Sequence, residues 1–171
     1  KRMDILDGVC ITGGEPLYNK EIIPMLQEIK SMGYMVKLDT NGSLPNKLKN
    51  IVELGLVDSI AMDIKSSKEG YETAAGIQKV DLKAIEESVE FLKSNFLLHE
   101  FRTTVVRELH GEEELIKIGK WLKGDSEYYL QQFIDSEFVL KQNLHGYSKE
   151  KMELLLKKVR VYLPNVKIRG I

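Results

Sequence analysis

A single cysteine, Cys10, occurs in the 171 residues, so the chain can build neither an intrachain disulfide nor a thiolate-rich metal site. Its three histidines, His99, His110 and His145, lie far apart and give no metal-ligand spacing; each reads as a surface or partly buried imidazole. Charge of one sign is missing too. Lys and Arg number 25 against 26 Asp and Glu, which leaves −1 overall and no basic field for nucleic acid or an anionic membrane. No apolar run approaches the roughly 18–20 residues of a membrane span. No basic-then-apolar leader opens the sequence, and a cytoplasmic location is the simplest expectation. Low-complexity segments and sequence repeats are absent as well.

What remains is an ordinary soluble composition, 43% apolar and 30% charged, in a length that suits one domain with a real core. Short apolar stretches at Val9–Thr12, Met35–Asp39, Ser59–Asp63, Phe101–Val106 and Tyr128–Phe133 read as strands. Helical periods lie between them. Ile22, Leu26, Ile29 and Met32 share one face and Gly33 ends that helix; Pro45 to Leu54 carries Leu48, Ile51 and Val52 inward. Asp81 is placed to cap a helix that buries Ile85, Ser88, Val89 and Leu92. Glu112, Glu113 and Glu114 crowd the first turn of the next, where the helix dipole favours them. Met152, Leu155, Leu156, Val159 and Leu163 mark a C-terminal helix, after which "NVKIRGI" has room for one short strand. Strand and helix alternate, which predicts an α/β fold with parallel strands, apolar enough to be covered on both faces. Periodicity leaves open whether the sheet is doubly wound or a partial barrel. One region, Asp135 to Tyr147, has no regular element and carries Phe138, Val139 and Leu140 in a polar loop.

Parallel α/β folds bind ligands where their strands end, so the residues there are the candidates. They are Thr12, Gly13, Gly14, Glu15 and Pro16; Asp39, Thr40, Asn41 and Gly42; Asp63 and Lys65; Arg102, Thr103, Thr104 and Arg107; Gln131 and Gln132. Glycines 13 and 14 lack Cβ atoms, so a ligand could touch backbone carbonyls there, and Glu15 would attract an ammonium group; a tight turn before a helix reads equally well. "DTNG" fits a simple turn, since Asn-Gly is a strong turn dipeptide. Asp63 and Lys65, two apart on a strand, fit a structural ion pair. Arg102 inside an apolar strand needs a carboxylate, from the protein or from a ligand.

"GGEP", "KLDTNG", "AMDIK", "FRTTVVREL" and "YYLQQF", in that order, resemble the radical S-adenosylmethionine superfamily, and most nearly the activating proteins of anaerobic ribonucleoside-triphosphate reductase, relatives of the pyruvate formate-lyase activating enzymes. The similarity runs along essentially the whole chain to "LPNVKIRGI". The resemblance implies a single radical SAM partial (β/α) barrel domain over residues 1–171. It implies that Gly13, Gly14 and Glu15, with Pro16 closing the motif, hold the methionine amine of S-adenosylmethionine, and that Arg102 sits near its carboxylate. Asp39, Thr40, Asn41 and Asp63 match positions near the methionine moiety; in some relatives Asp39, Thr40 and Asp63 would also hold a monovalent cation. Lys65 matches a site lysine, and Gln131 and Gln132 fall where relatives place adenine or ribose contacts. In the family, a 4Fe-4S cluster reduces S-adenosylmethionine, and the resulting 5′-deoxyadenosyl radical abstracts hydrogen from a glycine of a partner glycyl-radical enzyme, with an electron donor supplying the cluster.

The family's CxxxCxxC cluster motif is not in this sequence. "KRMDILDG" resembles the end of the first crossover helix, so the first βα unit, on the order of 50 residues, is expected to be missing. The chain alone is then expected to be inactive, Cys10 to be a small core residue, and Val9–Thr12 to be an exposed sheet edge prone to pair with another chain. Two other readings stand beside this one. The substrate could be a different protein or a small molecule, or the chain could be a barrel fragment kept for binding a partner.

Overall fold

The computed structural model describes residues 6–135 and 143–171. It divides into two compact units, residues 1–63 with 81–99 and residues 64–80 with 100–171. Phe138, Val139 and Leu140, the apolar triplet of the long loop, lie outside the described residues.

In the first unit, β1 (Gly8–Ile11), β2 (Met35–Thr40) and β3 (Ser59–Asp63) pair in that order, all parallel, with Val9 opposite Val36 and Leu38 opposite Ile60. A 3-10 turn over Pro16–Tyr18 and helix α1 (Ile22–Ser31) return the chain from β1 to β2; α2 (Pro45–Glu53) returns it from β2 to β3. Pro24 and Pro45 stand in the first turns of their helices, where a missing N–H removes no bond. Helix α4 (Leu82–Ser94) packs on α2, its N-cap Asp81 accepting from Ala84 N as the sequence predicts. Below the strands, Asp58 accepts both Val36 N and the Lys30 ammonium. Partial burial pulls its pKa upward, but these donors outweigh that and hold its carboxyl below the usual range.

In the second unit, β4 (Leu98–Val105, from Glu100 onward), β5 (Glu127–Gln132) and β6 (Val166–Arg169) are again parallel and in order. Helices α5 (Glu112–Leu122) and α6 (Lys149–Val159) pack on each other, and α6 lies on β5 and β6. The sequence reading has no element between Lys65 and Asp81; the structure adds the short helix α3 (Tyr71–Ala75) there, anchored by Tyr71 packed edge-on to Trp121. The terminal strand in "NVKIRGI" is present as β6.

The expected α/β class is found, with one difference. β3 is covered on both faces, with Ile60, Ala61 and Met62 all buried, but β2, β4 and β5 are not. Val36, Leu38, Thr40, Ile60 and Met62 are buried on one face, whereas Met35, Lys37 and Asp39 on the other are at least partly exposed. In the second unit Phe101, Thr103, Val105, Tyr128 and Leu130 are buried while Arg102, Thr104, Tyr129 and Gln131 alternate with them. In β2, β4 and β5 a buried face therefore alternates with a partly exposed polar one, a period-2 pattern usually associated with half-covered sheets. Cys10 stands on β1 and is exposed, so it is not the core residue expected from its type. Arg102 is half-buried rather than enclosed. Among the described residues β1 pairs with β2 alone, which leaves its other edge open.

Candidate functional site

The first unit gathers its candidates through one carboxylate. After β1 the chain turns through Gly13 and Gly14, at φ +94° and +55°, conformations that a side chain strains. Among the described residues, apart from the chain neighbours, nothing lies within 4 Å of where a Cβ would stand on either, so both border open space. Glu15 follows as cap of the 3-10 turn. Its Oε1 accepts Leu17 N at 3.2 Å and the Thr40 hydroxyl at 2.9 Å; its Oε2 accepts Asn41 N at 2.6 Å. Three of about four lone-pair directions are thus taken by the protein itself.

The loop after β2 is folded to meet it. Thr40 Oγ1 accepts Gly42 N at 3.1 Å, Asn41 Oδ1 accepts Ser43 N at 2.9 Å, and Ser88 Oγ donates to Gly42 O at 2.8 Å. Gly42 is buried at φ +74°, and a Cβ there would collide with the Met62 side chain. The Asn-Gly pair is therefore more than a turn signal: the left-handed backbone favours glycine at 42, and a Cβ there would also have to displace the tip of the buried Met62 side chain. Lys47 Nζ adds a bond to Leu17 O at 2.7 Å, so the "GGEP" and "TNG" segments form one cross-linked piece. Pro16 is buried as the first residue of the 3-10 turn. Asp39 stands on the open face of β2, in register with Ala61, and Asp63 ends β3. Thr40 is on the covered face, turned to Glu15 and not toward Asp39.

In the second unit Lys65 lies in a turn fastened from several directions. Ile64 N donates to Arg102 O at 2.8 Å, and Thr103 Oγ1 donates to Ile64 O at 2.7 Å. The fully buried Tyr128 hydroxyl donates in turn to Thr103 Oγ1 at 2.7 Å, and burial pushes its pKa far up. Glu114 Oε1, from the first turn of α5, accepts Ser66 Oγ at 2.6 Å and Ser67 N at 2.8 Å. Burial alone would raise the Glu114 pKa; the two serines outweigh it and bring it below the ordinary value. The ring of His110 bonds Lys65 O at 2.8 Å. Neither His110 nor Glu114 is singled out as a site residue by the sequence. Three glutamates in a first helical turn and a lone histidine carry no signal until the fold brings them under the turn.

Arg102 is on the open face of β4, in register with Tyr129. Gln132 is not on that face. It shares the parity of Tyr128 and Leu130, and its Nε2 donates to Tyr147 O at 2.7 Å, while its Oε1 is buried with no hydrogen-bond partner among the described residues. Gln131 is the glutamine that shares the Arg102 face. The segment around Tyr147 is held further by Glu108, which accepts both the backbone N and the ring Nδ1 of His145. Lower on the open face Arg169 donates two parallel bonds of 2.9 Å to Glu100 and stacks 3.7 Å over the Tyr129 ring.

For S-adenosylmethionine the residues of the first unit fit: a bare, left-handed glycine pair beside a fixed carboxylate suits an ammonium group approaching backbone oxygens. For a 4Fe-4S cluster they do not. The chain has one cysteine, and among the described residues no three His, Cys, Asp or Glu side chains gather to hold a metal.

The family model of the radical SAM superfamily matches residues 1–121. A Methanocaldococcus jannaschii protein assigned by name to the glycyl-radical enzyme activating enzymes is 30% identical over 96% of this chain and 71% of its own length. A 7-carboxy-7-deazaguanine synthase of Koribacter versatilis is 28% identical over 63% of this chain and 46% of its own length. Among solved structures, a domain of pyruvate-formate lyase-activating enzyme from Bacteroides vulgatus superposes with a TM-score of 0.73 at 17% identity, over 95% of this chain and 99% of that one. Streptococcus suis SuiB bound to S-adenosylmethionine also gives 0.73, at 13% identity, over 95% of this chain and 39% of that one. These two share the α/β fold of parallel strands and helices. On the family match and the 30% identical relative, the chain belongs to the radical SAM superfamily.

Proposed function

We propose that this chain is the S-adenosylmethionine-holding part of an enzyme of the glycyl-radical activating kind. The carrying observation is the Glu15 bridge, which fixes the β2 loop to the β1 loop and leaves Gly13 and Gly14 presented. In this reading the carbonyls of that glycine pair receive the methionine ammonium. Glu15 adds its remaining lone pair and long-range charge, and acts mainly by holding the turn. Arg102, a permanent cation on an open strand face, is assigned to the carboxylate. Lys65, Asp39, Asn41 and Asp63 are assigned to polar atoms of the same cofactor, with Thr40 acting through Glu15. Gln131 takes the role that the sequence shares between it and Gln132. When bound, S-adenosylmethionine supplies the radical precursor of the family chemistry. No step of that chemistry is assigned to the residues of this chain, which lacks the thiolates for a cluster.

The name of the Methanocaldococcus relative supports a glycyl-radical enzyme as the partner that receives the radical. The motif order supports the finer choice of anaerobic ribonucleoside-triphosphate reductase. A small-molecule substrate is the competing reading, favoured by the likeness to a deazaguanine synthase. Titration calorimetry with S-adenosylmethionine tests the site: Gly14→Val and Arg102→Ala are each expected to weaken binding about tenfold or more, the worth of one charge-assisted contact. Equal heats for wild type and both variants would remove the assignment.

A further inference from the structure

The turn that carries Lys65 is secured on either side of it, Ile64 by β4 and Ser66–Ser67 by Glu114. The Lys65 carbonyl is met by His110, and the chemistry of that ring is fixed by its surroundings. His110 is 2% exposed. Its Nδ1 lies 2.9 Å from Val106 N, and a backbone N–H can only donate, so Nδ1 carries no hydrogen. The ring proton is therefore on Nε2, 2.8 Å from Lys65 O, and points at it. A second proton on the ring would set two hydrogens against each other between Nδ1 and Val106 N. Burial favours the neutral ring, against a nearby carboxylate, Glu114, that favours the cation; on balance the imidazole is less basic than usual. The Tyr147 hydroxyl donates to the His110 carbonyl at 3.2 Å.

We infer that His110 is a positioning residue for Lys65: as the neutral Nε2–H tautomer it holds the Lys65 carbonyl and so sets the peptide plane from which that side chain departs. The inference deepens the proposed function, because the importance of Lys65 rests on that reading. It also makes the geometry of Lys65 dependent on a single proton.

Two substitutions separate positioning from mere stability. The amide nitrogen of His110→Gln reaches the place of Nε2 and can still donate to Lys65 O. The oxygen of His110→Asn reaches the place of Nδ1 and can still accept from Val106 N, but nothing then meets Lys65. Nitrogen-15 spectra of the full chain are expected to show the Nε2–H tautomer. The Lys65 carbonyl and Ser66 amide signals are expected to stay near wild type in His110→Gln and to move in His110→Asn. S-adenosylmethionine affinity is expected to fall about tenfold in His110→Asn, as in Lys65→Ala, and to stay within roughly threefold in His110→Gln. An Nδ1–H tautomer, or Lys65 and Ser66 signals alike in both variants, would overturn the inference. If the wild-type chain fails to bind S-adenosylmethionine, the proposed function falls, while the tautomer and the two sets of signals still decide whether His110 positions Lys65.

Discussion

The two loops that carry candidate residues are built on opposite plans. In the first unit the "GGEP" and "TNG" segments hang on Glu15, which alone receives one side chain and two backbone donors. In the second unit the turn at Lys65 is held by Arg102, Thr103, His110 and Glu114, each through its own bond or pair of bonds. A hub concentrates control in one residue and leaves its neighbours' backbones bare for a ligand. Distributed fastening spreads the stability of the turn over several ties, so that losing one unfolds less, while each tie still bears on the direction of the side chain it holds. The former suits a surface that must be touched, the latter a residue that must be aimed.

That contrast can be broken most severely at Gly42. Valine there meets Met62 and adopts a left-handed backbone, so Gly42→Val is expected to cost more than about 3 kcal/mol in urea unfolding and to remove S-adenosylmethionine binding. Removing the hub comes next. Glu15→Ala leaves the Asn41 N–H and the Thr40 hydroxyl without their acceptor, for about 2–3 kcal/mol, and amide exchange should quicken across 40–43. If exchange there is unchanged, Glu15 is no hub. On the distributed side a single loss should be smaller. Thr103→Val deprives the Tyr128 hydroxyl of its acceptor and the Ile64 carbonyl of a donor, about 1–2 kcal/mol. Adding Tyr128→Phe should recover part of that, so the double variant costs less than the sum.

Acid provides the gentlest test. The backbone N–H and the imidazole of His145 bring the Glu108 carboxyl from its ordinary 4.5 to about 2. A carboxyl depressed on folding contributes stability that is complete above its unfolded value and is lost as pH falls through the folded one. The 143–147 segment should therefore stay attached at pH 5 and loosen between about pH 4.5 and 2, followed by the amide signals of Arg107 and His145. His110 has the same sign, since its folded pKa is lowered from 6.5: its contribution is full above that value and falls away below it. A Lys65 turn indifferent to pH through that window would count against a proton-dependent tie.

Much of this was legible in the sequence where periodicity decides. The strands at Val9, Met35, Ser59, Phe101 and Tyr128 and the helices from Ile22, Pro45, Asp81, Glu112 and Met152 follow from apolar spacing and caps. Coverage on both faces holds for β3 but not for β2, β4 and β5, where Lys37, Asp39, Arg102 and Tyr129 alternate with apolar neighbours and form a polar face. Helix α3 escaped notice because five residues hold too few periods. The glycine pair and Glu15 were visible as a motif, but the motif did not reveal that the carboxylate serves the protein first. Nor could the spacing of Gln131 and Gln132 say which one turns to the open face, since a shift of one residue reverses a strand. His110 and Glu114 were hidden because the atoms they hold, two backbone groups and a serine hydroxyl, lie 45, 47 and 48 residues away.

A polypeptide with one thiol, standing exposed on a strand that among the described residues pairs with β2 alone, arrives ready for site-specific chemistry. A maleimide fluorophore or nitroxide would attach there and nowhere else, without any mutagenesis. Quenching, or broadening of its spectrum, would then report whatever comes to lie alongside that strand, whether a duplicate of the molecule or a foreign peptide.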